Sequence, residues 1–161
     1  MIGAAMKKID WKNLSYDDFT GFVAVTAFLL FVLYFGGLWY TTYDYRIQMR
    51  DQMVGMYQHL PEQLPVVSED YGVHQRWLVF YIDGVKVLNK PQPENVINEY
   101  KKALEKEGWA TEREYIRNDK NKTYGINMRK GEFVLSVSAQ ENRDSINIHL
   151  IKRDWIYNKG F

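Results

Sequence analysis

The sequence predicts an α+β protein. A single N-terminal transmembrane helix extends into a juxtamembrane helix, and a small two-layer domain follows, with one helix packed on an antiparallel β-meander. Three observations carry that expectation. No charge falls between Asp18 and Asp44. One strongly amphipathic helical stretch lies in the second half, at 93–107. Four segments after it alternate apolar and polar residues with period two, the pattern of half-buried strands.

The segments divide as a polar tail (1–18), a transmembrane helix (19–43), a helical neck (44–60), a linker (61–75) and an extramembrane domain (76–161). The span reads FTGFVAVTAFLLFVLYFGGLWYTTY. As a helix it is about 38 Å long, against a hydrocarbon core of about 30 Å. Gly36-Gly37-Leu38-Trp39-Tyr40 is a poor cleavage site, so an uncleaved anchor is expected. Trp11, Tyr16 and Phe19 before the apolar run, and Trp39, Tyr40, Tyr43 and Tyr45 after it, form interfacial belts. Lys7, Lys8 and Lys12 precede the span, while Arg46 and Arg50 follow it. That bias puts the N-terminus in the cytoplasm and the C-terminal domain outside, in a periplasm or the extracellular space.

Thr20, Ala24 and Ala27 share one face of the span, and small residues let a second helix approach. Phe28, Phe31, Phe35 and Trp39 share another. The span carries no ionisable side chain, so it offers neither an imidazole to a cofactor nor a proton relay. In the neck, Met49, Met53, Met56 and Leu60 recur at helical spacing. A Met stripe suits adaptable contact with a partner, and it equally suits packing on the protein's own domain. Pro61 and Pro65 bracket an extended linker that Val66 to Gly72 continues.

In the domain, residues 76–82 (RWLVFYI) read as a strand, Asp83-Gly84 as a turn and 85–88 as a short second strand. Pro93 opens the helix, with Glu94 in its first turn. Val96, Ile97, Tyr100, Ala103 and Leu104 form its apolar face. Gly108 is placed to end it in the left-handed conformation, with Trp109 folding back on Leu104. Strands at 112–117, 124–129, 133–138 and 146–151 complete the sheet. Its polar face carries Val134 and Ile151 as exposed apolar residues. Residues 155–161 read as a tail.

Composition narrows the function. From Glu62 onward the chain has 16 Lys/Arg and 15 Asp/Glu, a balance unlike a nucleic-acid-binding surface. There is no cysteine, which removes disulfides, thiolate metal sites and lipidated cysteines. The mean hydropathy of −0.43 fits a water-exposed domain on one anchor. His59, His74 and His149 show no metal-ligand spacing. No GxSxG, HExxH or Gly-rich phosphate loop occurs. Glu69-Asp70 reads as a solvated acidic pair, Asp83 as a turn residue, and Ser136 and Ser138 as hydroxyls without a local base. Asn121-Lys122-Thr123 matches a glycosylation sequon.

The expectation is a non-enzymatic, single-pass accessory subunit of a larger membrane complex. Its partners would be the lipid bilayer and other integral membrane subunits, docked through span and neck, with no cofactor, no metal and no nucleic acid. The alternative is a membrane-tethered envelope module that recognises a peptide, glycan or small ligand with its sheet face.

Overall fold

The computed structural model describes residues 16–61, 65–76, 79–89, 92–118 and 120–153. The polar tail before Tyr16 and the segment 155–161 lie outside the described residues. The chain divides into two compact units, with the boundary between Asp44 and Tyr45.

The first unit is built on helix α1 (Tyr16–Thr41), in which Phe19–Thr41 is long and apolar enough to cross a membrane. The expected continuous helix is interrupted at Thr42. Thr41 Oγ1 donates to the Gly37 carbonyl at 2.9 Å and Thr42 Oγ1 to the Leu38 carbonyl at 2.7 Å. Hydroxyls that bond back to the preceding turn compete with the helical ladder, which accounts for the break.

The second unit is a two-layer α+β domain. Its sheet has six antiparallel strands in the order β1-β2-β6-β5-β4-β3. These are β1 (Val66–Arg76), β2 (Val79–Leu88), β3 (Ala110–Asn118), β4 (Lys122–Lys130), β5 (Phe133–Gln140) and β6 (Ser145–Lys152). Strands β3 to β6 form the expected meander, and β6 closes against β2.

Helix α3 (Pro93–Lys106) packs on β3, β4 and β5. It ends as its sequence requires. Gly108 has φ +85°, Gly108 N–H donates to the Glu105 carbonyl, and Trp109 N–H donates to the Leu104 carbonyl. That pair of bonds is the Schellman motif, and it drives the Trp109 side chain into the core beside Leu104.

Three expectations are corrected. First, two helices cover the sheet, not one. Helix α2 (Tyr43–Gln58) lays Met49, Met53 and Tyr57 into the core, followed by Leu60. Second, the linker assigned to 61–75 is mostly strand, because Val66–Arg76 pairs along its length with β2. Third, Asp83-Gly84 is not a turn. It lies in the middle of β2, with Gly84 opposite Tyr71. The phenol of Tyr57 descends onto Gly84 so closely that a Cβ there would lie 1.9 Å from its oxygen. Glycine at 84 thus answers to a close approach and not to a bend.

Candidate functional site

The helices cover one face of the sheet; the other, the open face, carries no helix among the described residues, although Val134 on it is buried. On the open face, one residue from each strand stands in a single transverse row. Cross-strand pairing runs Gly72, Asp83, His149, Ser136, Asn127, Arg113, from the β1 edge to the β3 edge. At about 4.8 Å between strands, the row is about 24 Å long. Its five side chains are all hydrogen-bonding groups.

At one end, His149 Nδ1 lies 2.6 Å from Asp83 Oδ1, and His74 Nε2 lies 3.9 Å from Asp83 Oδ2. The His74 ring stacks on Tyr81 at 4.9 Å between centroids, and Tyr81 reaches His149 at 5.7 Å. The 2.6 Å contact is a direct hydrogen bond, with no room for an ion between the two atoms. Among the described residues, no group of three His, Asp or Glu is placed to hold a metal ion.

Ser136 stands opposite His149, so the structure supplies the base that the sequence did not show near it. The order Asp83, His149, Ser136 has the composition of a nucleophilic triad, yet the chemistry lacks its geometry. Among the described residues the Ser136 hydroxyl makes no hydrogen bond to His149. The backbone N–H groups around it are committed to the β4–β5–β6 ladders, which leaves no donor pair for an oxyanion. The row can hold a ligand by hydrogen bonds. It is not arranged to attack one.

At the other end lies a cleft of about 380 Å³, lined by Arg113, Tyr115, Arg117, Asn127 and Ser136 together with Ile116. A bulge creates it. Thr111 pairs with Met128 and Arg113 with Asn127, so Glu112 is an extra residue in β3. The inserted residue reverses the alternation and turns Arg113, Tyr115 and Arg117 to the open face. Tyr115 lies flat across Gly125, where a Cβ would meet the ring at 2.3 Å. The guanidiniums of Arg113 and Arg117 lie over that ring, 6.0 and 5.9 Å from its centroid.

The charges of β3 are unevenly matched. Glu112 pairs with Arg129, and Glu114 pairs with Lys101 of α3 at 2.5 Å. That hydrogen bond raises the Lys101 pKa above its ordinary value. Among the described residues, Arg113 and Arg117 have no carboxylate partner. The strand therefore presents uncompensated positive charge on the open face only.

The residues singled out from sequence fare differently. Thr20, Ala24, Ala27, Phe28, Phe31 and Trp39 are exposed on α1, and Phe35 is half-buried beside Phe31 at 4.3 Å. Met49, Met53 and Leu60 are buried in the domain's own core, and Met56 packs against it. Of the two readings of the stripe, the internal one is therefore realised, and the apolar surface it offers is already covered. Val134, expected on the surface, is 2% exposed, and Ile151 is half-buried, so they form no exposed patch.

Sequence reasoning missed Arg113, Tyr115 and Arg117, although their period-two spacing was readable. It could not join His74 to Asp83, because the supposed turn at Asp83-Gly84 hid the hairpin that pairs β1 with β2. Comparison of the chain with protein-family models, with curated proteins and with solved structures gives no match.

Proposed function

We propose that the protein is a non-enzymatic, membrane-tethered recognition module, anchored by α1 and binding its ligand on the open face of the sheet. The observation that carries this reading is the row of polar side chains across five of the six strands, ending in the cleft between Arg113 and Arg117. The guanidinium, amide and hydroxyl groups at the cleft end bind and orient a ligand, and the imidazole at the other end is hydrogen-bonded to Asp83 with no hydrogen bond to the Ser136 hydroxyl among the described residues. The reading of α1 as a span is supported by its length, its lack of charge and the outward exposure of its apolar side chains.

Docking to other membrane subunits is the second reading, and it now rests on α1 alone. The small-residue face at Thr20, Ala24 and Ala27 and the aromatic face at Phe28, Phe31 and Trp39 are both exposed. The neck no longer contributes, since its Met stripe is taken up by the core.

The test of the module is a thermal-shift screen of the full chain in mild detergent against peptides, glycans and small ligands. A ligand that raises the melting midpoint should lose that effect in Asn127→Ala combined with Arg113→Gln. If every ligand found acts equally on that variant, the open face is not the binding surface. The topology is checked separately. Protease added to intact cells or spheroplasts should reach a tag at Phe161 and not one at Met1. Protection of the Phe161 tag would reverse the assignment.

A further inference from the structure

We propose that the cleft bracketed by Arg113 and Arg117 is a subsite for an acidic saccharide: a sugar ring set against Tyr115, its carboxylate held by the guanidiniums, and its hydroxyls bonded to Asn127 and Ser136. The proposal rests on the reading of the open face as a recognition surface and goes beyond it by naming the ligand chemistry.

Charge selects an anion. The two acids of β3 are neutralised by Arg129 and Lys101, while its two arginines have no carboxylate among the described residues. Guanidinium donors in a planar fork match a carboxylate better than a point charge would. Shape and lining then choose among anions. A purine is best held between two flat apolar walls, and this cleft offers one ring and the Ile116 side chain among four polar side chains. An amide and a hydroxyl at adjacent row positions suit a ring that carries hydroxyl groups. Tyr115 supplies a flat surface for that ring's C–H edges, and Gly125 beneath it lets the phenol lie down. The row also continues past the cleft to His149 and Asp83. Hydrogen-bonding groups spaced over about 24 Å suit several linked sugar units better than a single small anion.

The test uses the full-length protein in nonionic-detergent micelles, titrated calorimetrically with tri-galacturonate, with neutral maltotriose and with adenosine monophosphate. Tri-galacturonate should bind, maltotriose should bind at least about tenfold more weakly, and binding should weaken as salt is raised. The double variant Arg113→Gln/Arg117→Gln should lose at least about tenfold in affinity, and Tyr115→Ser should lose a comparable factor. Lys102→Gln/Lys106→Gln removes the same number of charges from the exposed side of α3 and should leave binding unchanged. Melting midpoints of all variants establish that each is folded.

Three results would overturn the proposal. One is no binding of tri-galacturonate by the folded protein. Another is binding indifferent to the Arg113 and Arg117 changes or equally lost in the α3 variant. The last is adenosine monophosphate binding as tightly in an Arg-dependent way, which would keep the open face as a recognition surface and replace the sugar with a nucleotide. Failure of the wider reading would look different, since no ligand of any class would then depend on the row.

Discussion

The two faces of this sheet are built on neighbouring rows and do opposite things. The open row runs Asp83, His149, Ser136, Asn127, Arg113. The next row, one residue along each strand, runs Tyr71, Gly84, Ile148, Val137, Ile126, Glu114. Ile148, Val137 and Ile126 are at most 1% exposed beneath the helices. Each face also seats a tyrosine on a glycine of a neighbouring strand or helix contact: Tyr57 on Gly84 under α2, and Tyr115 on Gly125 in the open cleft. One tyrosine is locked in the core and the other is half-exposed. The same local device thus serves packing on one side and ligand display on the other. What separates them is whether a helix closes over the ring.

The sharpest break between the faces lies in the side chains that α2 contributes. Met49 and Met53 are 6% and 0% exposed. Replacing both with Gln keeps helix propensity nearly constant, but it buries two amides and removes apolar contact. Removing a buried Met side chain alone costs about 2–5 kcal/mol, a large share of a typical domain's total stability. The full-length double variant in detergent should lose most of its cooperative melting. Ser136→Ala with Asn127→Ala, on the open row, should shift the midpoint by no more than a few degrees. Equal effects on the two faces would end the distinction drawn here.

The paired glycines give a smaller and more direct comparison. In Gly84→Ala the new methyl group meets the buried Tyr57 phenol, and the core around it cannot yield cheaply. Overpacking of this kind costs about 1–3 kcal/mol or more. In Gly125→Ala the collision is with Tyr115, which can swing toward solvent. That variant should melt within about 1 kcal/mol of the parent, while weakening any ligand that needs the ring flat. Should Gly125→Ala prove the more damaging of the two, Tyr115 would be a structural residue and the cleft a by-product of packing.

Much of the covered face was legible in the sequence, and little of the open one. Helix α3 declared itself through Val96, Ile97, Tyr100 and Leu104, its Pro93 start and its Gly108 stop, because local rules govern all three. The meander strands were readable from their alternation. Helix α2 was found as a helix, but where its Met stripe goes depends on tertiary contact, which periodicity does not encode. The β1–β2 hairpin was misplaced for a specific reason. An Asp-Gly pair is a strong turn signal, and here a glycine was required by the descent of Tyr57, fixed by a helix 27 residues earlier in the chain. The cleft depends on the bulge at Glu112. A one-residue insertion flips the facing of every later side chain in the strand, and nothing in EREYIRN announces it.

The smallest effect at neutral pH, and the most diagnostic at high pH, concerns Tyr57 itself. Its hydroxyl is buried with no hydrogen-bond partner among the described residues. Burial raises its pKa well above the ordinary phenol value, and the nearby carboxylate of Glu69 adds to the rise. Glu69 also forms an ion pair with the buried Lys86 at 3.3 Å. Below about pH 10 the phenol is neutral in both the folded and the unfolded chain, so it contributes no pH dependence. Above that, the unfolded chain releases the proton and the folded chain does not. Stability is therefore full below the unfolded pKa and is lost as pH rises toward the folded one, by at most about 1.4 kcal/mol per pH unit. Tyr57→Phe deletes an unsatisfied hydroxyl while keeping the ring, so at pH 7 it should be neutral or slightly stabilising. Between pH 10 and 11.5 the variant should lose less stability than the parent, because one titrating group has gone. Parallel pH profiles for the two proteins would mean that Tyr57 is open to water and that α2 does not seal this end of the core. A clear loss at pH 7 would mean that the hydroxyl has found a partner.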